Sequence, residues 1–328
     1  MKRVYLDMNK WIDLSRAYHA HTAGRAYRDA LTVAQAGVEA GVLSFPLSSA
    51  HYKELAHRKD WRSRYRLAEV MEVLSRFHAI ASLIEVVPAE LDRALQGRFG
   101  RPVECLPLQP FGFGVAFAFH DSELRYAAPA VLPDGVTRRE LEAVLRIPFE
   151  REMLRGLAKD TPAHGIDLTW HFQLLEGYAK RQNERGVLLR ELGYAKGDAL
   201  ERATMAKVIA DIVEPFKEAL TRARVSADEF TTREQLTSLL QSIPSEWIVY
   251  EFERARHACG GDWKRGDLTD ICALSVAVVY CDVVVTEKQW VHILRAAGLD
   301  KLNNTVVTDD VAELAEILVS LDVDSHAA

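Results

Sequence analysis

Gly266-Asp267-Leu268-Thr269-Asp270-Ile271-Cys272-Ala273-Leu274-Ser275-Val276-Ala277-Val278-Val279-Tyr280 leads directly into Cys281-Asp282-Val283-Val284-Val285-Thr286-Glu287. The first part reads as a buried helix with acids at its head. The second reads as a short buried strand that ends in a polar pair. Carboxylates at the head of a buried helix are hard to explain as packing. The other acids that converge on them decide what the chain does.

The same rhythm runs outward from this stretch. Lys2–Leu6 is a β-type run ending at Asp7, and Trp11, Leu14 and Tyr18 then recur at helical spacing, with Asn9 as a candidate N-cap. A helix ends near Gly41, and Val42–Leu47 reads as a second strand. Ser48-Ser49-Ala50 opens another helix, capped by Ser48 or Ser49, with Glu54 in its second turn. A helix over 61–79 and a third strand at Leu83–Pro88 follow. Residues 99–135 carry many prolines and the run Phe111, Phe113, Phe117, Phe119, read as loop with a strand. Residues 138–242 are helical in pattern, with breaks near Pro162, Gly165, Gly197 and Ser226. A helix over 245–258 leads to the quoted stretch, a last strand at Asn303–Thr308 and a closing helix over 310–321, capped by Asp309 or Asp310. Strands alternating with helices predict a mostly parallel sheet with right-handed crossovers.

Net charge is −6, so nothing draws the whole chain toward nucleic acid and any polyanion site must be a local basic patch. Cys105, Cys259, Cys272 and Cys281 form no C-x-x-C pair, and the last two lie in apolar runs. They read as reduced thiols of a cytoplasmic protein. No apolar run reaches the roughly 18 residues of a membrane span, and the chain enters a strand too early for a signal peptide, so no membrane is expected. The phosphate loop G-x-x-x-x-G-K-[ST] is missing from the sequence, as is any legible Ser/His/Asp arrangement.

In a parallel sheet the strand tips share one edge, where such sheets hold their ligands, so Asp7, Glu54 and Asp270 can meet there. Three clustered carboxylates repel and raise one another's pKa unless a cation compensates. Hard oxygen ligands with open positions suit Mg²⁺ or Mn²⁺. Phosphodiester hydrolysis is the natural reaction class for such a site. Asn9, Thr286 and Ser49 are candidates to orient the carboxylates or waters from behind. The basic run that includes Lys53, Arg58 and Arg62 starts beside Glu54 and can hold a phosphate backbone; its alternative is a solvated helix face. His51, Glu54 and His57 spread over too wide an arc to share one zinc ion, and His164 and His171 read as solvated or capping groups. The phenylalanine run reads as an apolar plug ahead of a base-stacking surface.

These residues resemble the PIN-domain nucleases. The family's opening strand ends h-h-D-x-[NST]-x-h-h, met by Tyr5-Leu6-Asp7-Met8-Asn9-Lys10-Trp11-Ile12. Glu54 stands where the family has a Glu after its second strand. Asp270 meets the Asp that heads an alanine-rich helix, and Val283-Val284-Val285-Thr286 meets the following h-h-h-T; Trp290 fits the aromatic beyond it. The family's fourth acid falls two residues after that Thr, where this chain has Lys288. Glu287 or Asp267 is the candidate to supply the missing metal ligand, and Lys288 becomes a candidate substrate contact.

The resemblance covers roughly residues 1–97 and 245–320. It implies a three-layer α/β/α fold with a mostly parallel five-stranded sheet, formed by 1–97 and 245–328. Residues 98–244 are then a mainly helical insertion: a lid, a substrate-selecting arm or a dimerisation surface. The implied activity is metal-dependent endoribonuclease cleavage leaving 5′-phosphate and 3′-hydroxyl ends. Asp7, Glu54 and Asp270 would be catalytic, with Mg²⁺ or Mn²⁺ as cofactor. The implied partners are RNA, a second copy of the chain and, if the role is toxin- or defence-type, a separate inhibitor protein. Two alternatives stay open: a PIN-like RNA- or protein-binding module that does not cut, and a DNA nuclease.

Overall fold

The computed structural model describes residues 1–121, 132, 135–155 and 168–325. The N-terminal part runs β1 (Lys2–Leu6), α1 (Met8–Tyr18), a 3-10 turn (Thr22–Tyr27), α2 (Arg28–Glu39), β2 (Leu43–Ser44), α3 (Ser49–Ala56), α4 (Trp61–Ser75), β3 (His78–Ile80) and α5 (Leu83–Phe99). The central part runs β4 (Phe111–Phe113), α6 (Gly114–Phe119), α7 (Arg138–Arg155), α8 (Leu168–Glu191), α9 (Gly197–Asp211), α10 (Val213–Ala223), a second 3-10 turn (Ala227–Phe230) and α11 (Arg233–Gln241). The C-terminal part runs α12 (Pro244–Cys259), α13 (Asp267–Tyr280), β5 (Val283–Val285), α14 (Lys288–Ala296), α15 (Leu299–Leu302), β6 (Val306–Thr308) and α16 (Leu314–Ser325). The breaks expected at Pro162 and Gly165, and His164, lie outside the described residues.

The chain is mixed α/β and mostly helical. Four strands form a parallel sheet in the order β2-β1-β5-β6. Successive strand residues point to opposite faces. Val4, Leu6, Val283 and Val285 pack with Trp11, Leu14 and Leu67 on one side, while Tyr5, Val284 and Val307 pack with Phe252, Ile271 and Trp290 on the other. Burial on both faces is what a parallel sheet requires and explains the unbroken valine run of β5. The second core also takes Tyr178, Val208 and Phe216, so segment 98–244 shares it with α5, α12 and α13.

Three expectations are corrected. The sheet has four strands, and β3 and β4 form a separate antiparallel pair, joined to the region after β2 by a bridge between Leu47 and Ala79. The run Leu83–Pro88 is the start of α5, not a strand. Short apolar runs are ambiguous by periodicity; here Val86, Val87, Glu90, Leu91, Ala94 and Leu95 are buried at helical spacing, and the spacing Ser82-x-x-Glu85 is a helix-start signature. The strand comes earlier because Arg76 and Phe77 turn left-handed (φ 47° and 59°) and end α4 before residue 79. Within the phenylalanine run, β4 gives way to helix α6 at Gly114 (φ 83°), where any Cβ would collide with the Glu150 carboxylate. That carboxylate accepts a hydrogen bond from Val115 N at 2.8 Å.

The sheet register sets the site. Leu6 pairs with Val285, so Asp7 and Thr286 leave their strands side by side, and Asp7 N donates to the Val285 carbonyl at 2.9 Å. α13 precedes β5 and runs back along it, which brings its first turn to the same edge. His51 anchors α3 there. Its Nε2–H donates to the Leu6 carbonyl at 2.8 Å and its Nδ1 accepts from Ser48 N at 2.9 Å. Burial pushes this imidazole down to about 4, so it is neutral, and both ring nitrogens are spent on the backbone. It is no zinc ligand, but it fixes the helix that carries Glu54.

Candidate active site

Asp7, Glu54, Asp270 and Glu287 line one cleft of about 280 Å³ at that sheet edge. Asp7 caps α1 itself, accepting from Met8 N through Oδ1 at 2.8 Å, while its Oδ2 accepts from Thr286 Oγ1 at 3.1 Å. Asn9, expected as the cap, instead donates from Nδ2 to Glu287 Oε1 at 2.8 Å. Asp270 Oδ2 accepts from the Trp290 indole at 3.2 Å, and that indole is fully buried. Glu54 has no side-chain hydrogen bond or ion pair among the described residues. Thus Thr286, Asn9 and Trp290 each hold one carboxylate in place, and Glu54 keeps both oxygens open to the cleft.

The acids are poorly compensated. Burial, then the neighbouring charges of Asp7 and Glu54, push Asp270 up to about 8. Burial and then Asp7 push Glu54 up to about 7, against a weaker opposing pull from Arg58. Burial also raises Asp7. Clustered acids of this kind attract a cation. Among the described residues, however, no group of three or more His, Cys, Asp or Glu side chains is arranged to hold a metal ion as it stands.

Other expected contributors sit elsewhere. Asp267, read as a candidate ligand, does not reach the cleft. At the first position of α13 its carboxylate folds back over the preceding loop, taking Lys264 N at 2.9 Å and Arg256 at 2.6 Å. Ser49 orients no carboxylate: Ser48 is the cap, and Ser49 lines an adjoining apolar pocket. Lys53 lines the cleft, with its amine 5.3 Å from the Phe119 ring centre. Lys288, the first residue of α14, is exposed and lines no part of the cleft, whereas its cap, Glu287, does. Arg58 and Arg62 lie in a neighbouring groove of about 500 Å³ with Arg16, His19, His21 and Arg66. Arg3 stands over Phe111 at 4.1 Å and Arg146 over Phe113 at 3.7 Å, so these rings face cations outside the cleft.

Sequence reasoning missed the wall opposite the acids. His57, His171, Phe172 and Arg265 line it. His171, read as solvated or capping, is buried, and burial and the charge of Lys53 push it down to about 4. The ring of Phe172 lies tilted against His57 with centroids 4.1 Å apart, and the Arg265 guanidinium lies 4.6 Å above Phe172. α8 supplies His171 and Phe172, and no periodicity in that segment says which helix face meets a distant strand edge. Arg265, directly before Gly266 and two residues before Asp267, was the available signal. Comparison of the chain with protein-family models, with curated proteins and with solved structures finds no match.

Proposed function

We propose that this chain is a metal-dependent phosphodiesterase with a PIN-like core, acting on RNA as an endoribonuclease. The observation that carries the reading is the meeting of Asp7, Glu54, Asp270 and Glu287, from four separate elements, in one cleft beside an arginine-lined groove. The acids offer hard oxygen donors and are raised by burial and then by one another's charge, which fits Mg²⁺ or Mn²⁺. Such ions keep several waters and take one or two carboxylates plus substrate phosphate, so a ready-made cage of protein ligands is not required. Asp7 and Asp270 would hold the ion, with Glu287 completing the shell. When bound, the ion supplies Lewis acidity that activates water and neutralises charge on the phosphate. Glu54, unpaired and pushed up to about 7, can accept a proton from an attacking water near neutral pH. Lys53 and Arg265 flank the acids and can hold the phosphate oxygens. The Arg58/Arg62 groove extends the positive track away from the site.

This division of labour separates binding from chemistry. Arg62→Ala is expected to raise KM for single-stranded RNA several-fold, leave kcat within about twofold, and reduce the salt slope of binding by about one. Salt-titrated binding and steady-state cleavage check it; a fall in kcat with KM unchanged contradicts it.

Stability gives a second handle. The folded pKa values of Glu54 and Asp270, about 7 and about 8, lie above those of the unfolded chain. The folded state therefore holds the extra protons, and without metal stability falls as pH rises from about 4 through 8. A cation bound by the ionised acids opposes that loss. Mn²⁺ in large excess is expected to raise Tm by about 5 °C at pH 8 and hardly at all at pH 5. Thermal melts of the wild type and of Asp270→Asn, which should show no such gain, measure it. Equal shifts at both pH values contradict it.

The basic side chains in and beside the cleft, Lys53, Arg265, Arg58 and Arg62, also fit one competing reading, a nucleic-acid-binding module that does not cut. Calorimetry separates the two, because that reading predicts RNA binding with no Mn²⁺ heat. A parallel cleavage assay on RNA and DNA of one sequence identifies the substrate.

A further inference from the structure

A second cavity, of about 450 Å³, opens among α5, α9, α10, α12 and α13. One wall is apolar: Leu83, Val87, Leu268 and Ile271, with Ile84, 80 % exposed, at the rim. The other is acidic, with Asp211, Glu214, Glu218, Glu246 and Glu253 against the lining cation Lys207.

Four of these five acids already have cationic partners. Lys207 takes Asp211 at 2.6 Å and also bonds Glu253, and Arg185 adds to Glu253 at 3.7 Å. Glu214 pairs with Lys217 at 2.7 Å, and Glu218 lies 3.8 Å from Arg222. Glu246 is different. It is only 4 % exposed, lines the cavity, and has no hydrogen bond or ion pair among the described residues. A buried carboxyl with no partner is costly and uncommon. Burial, then Glu90 and Asp211, push it up to about 8 against a weaker pull from Lys207, so a closer cation would favour its ionised form.

We propose that this cavity binds a protonated aliphatic amine, with the ammonium on Glu246 and the alkyl chain along Leu83, Ile84, Val87 and Leu268. The shape and chemistry select that class. The volume lies within the range of small-molecule sites, about 300–1,000 Å³. The excess of carboxylates rejects anions. Hydrated metal ions need several oxygen ligands, and four of the five carboxylates are already held by cations. An ammonium offers three donors and a charge-assisted bond to the one acid left without a partner. The site is separate from the acid cleft and does not depend on the phosphodiesterase reading.

Calorimetry with hexylammonium chloride on the full chain at pH 8 tests it. The expected result is one-to-one binding that Glu246→Gln weakens at least about tenfold and Asp270→Asn leaves unchanged, with 1-hexanol binding at least about tenfold more weakly than the amine. Loss of binding in Asp270→Asn would assign the amine to the acid cleft and overturn the proposal. So would no binding at all, or equal binding by Glu246→Gln or of hexanol. Ile84→Ser, at the exposed rim, keeps the test open should Glu246→Gln fail to fold: it is expected to weaken hexylammonium about fivefold through lost apolar contact, and unchanged affinity overturns the proposal.

Discussion

Asp270→Asn is expected to lower Mg²⁺- or Mn²⁺-dependent RNA cleavage by about 10³-fold or more while the protein stays folded. The two halves of this prediction have one cause. Asp270 lies among Asp7, Glu54 and Glu287, and burial and then the charges of Asp7 and Glu54 push it up to about 8. Replacing it with a neutral isostere removes a charge that the folded state tolerates poorly, so stability should hold or rise without metal. The Asn amide can still face Trp290, but it offers a weaker ligand to a hard cation and cannot carry the negative charge that holds it. Cleavage of a labelled single-stranded RNA with and without Mn²⁺, alongside circular dichroism and melting, reads both halves. Wild-type cleavage by the folded variant would remove Asp270 from the chemistry. Loss of cleavage together with loss of fold would make it a structural residue.

The second large effect belongs to Trp290. Its ring is fully buried, packs 4.9 Å from Phe252, and points its Nε1–H at Asp270 Oδ2, 3.2 Å away. Trp290→Ala should cost about 3–5 kcal/mol through the cavity left behind, a large share of a typical domain's stability. Trp290→Phe keeps most of the packing and removes only the donor. It should lose little stability, yet weaken Mn²⁺ binding and cleavage about tenfold because Asp270 is no longer held. Denaturant melts and Mn²⁺ titration of the two variants separate packing from positioning. If Trp290→Phe binds Mn²⁺ as the wild type does, the indole is a core residue only.

Some of this was legible from residues alone. Asp7, Asp270 and Thr286 stood out because each follows a strand or heads a buried helix, where packing gives no reason for a polar group. The structure adds that Thr286 donates to Asp7, so the polar ends of β1 and β5 belong to one arrangement. Asp267 misled because helical spacing puts it one turn from Asp270, whereas a residue at the first position of a helix is free to fold back, and Arg256 holds it there. Lys288, read as a substrate contact, is exposed and lines no part of the cleft, whereas Glu287, already a candidate ligand, faces Asn9 and the cleft. The strand expected at Leu83–Pro88 failed on a run too short for its period to be read, with helical burial deciding the outcome. His171 was out of reach, because its place depends on how α8 packs against a distant strand edge. That information is tertiary and leaves no local periodicity.

Whether these acids share an ion decides between metal-dependent cleavage and its alternatives. A crystal of the wild-type protein soaked in Mn²⁺ and measured at the manganese edge gives the direct test. The expected result is an anomalous peak in the cleft, about 2.1–2.4 Å from carboxylate oxygens of Asp7 and Asp270, with Glu54 or Glu287 reaching it directly or through water. A map with no peak between Asp7 and Asp270 at saturating Mn²⁺ would contradict the metal site and the cleavage chemistry built on it.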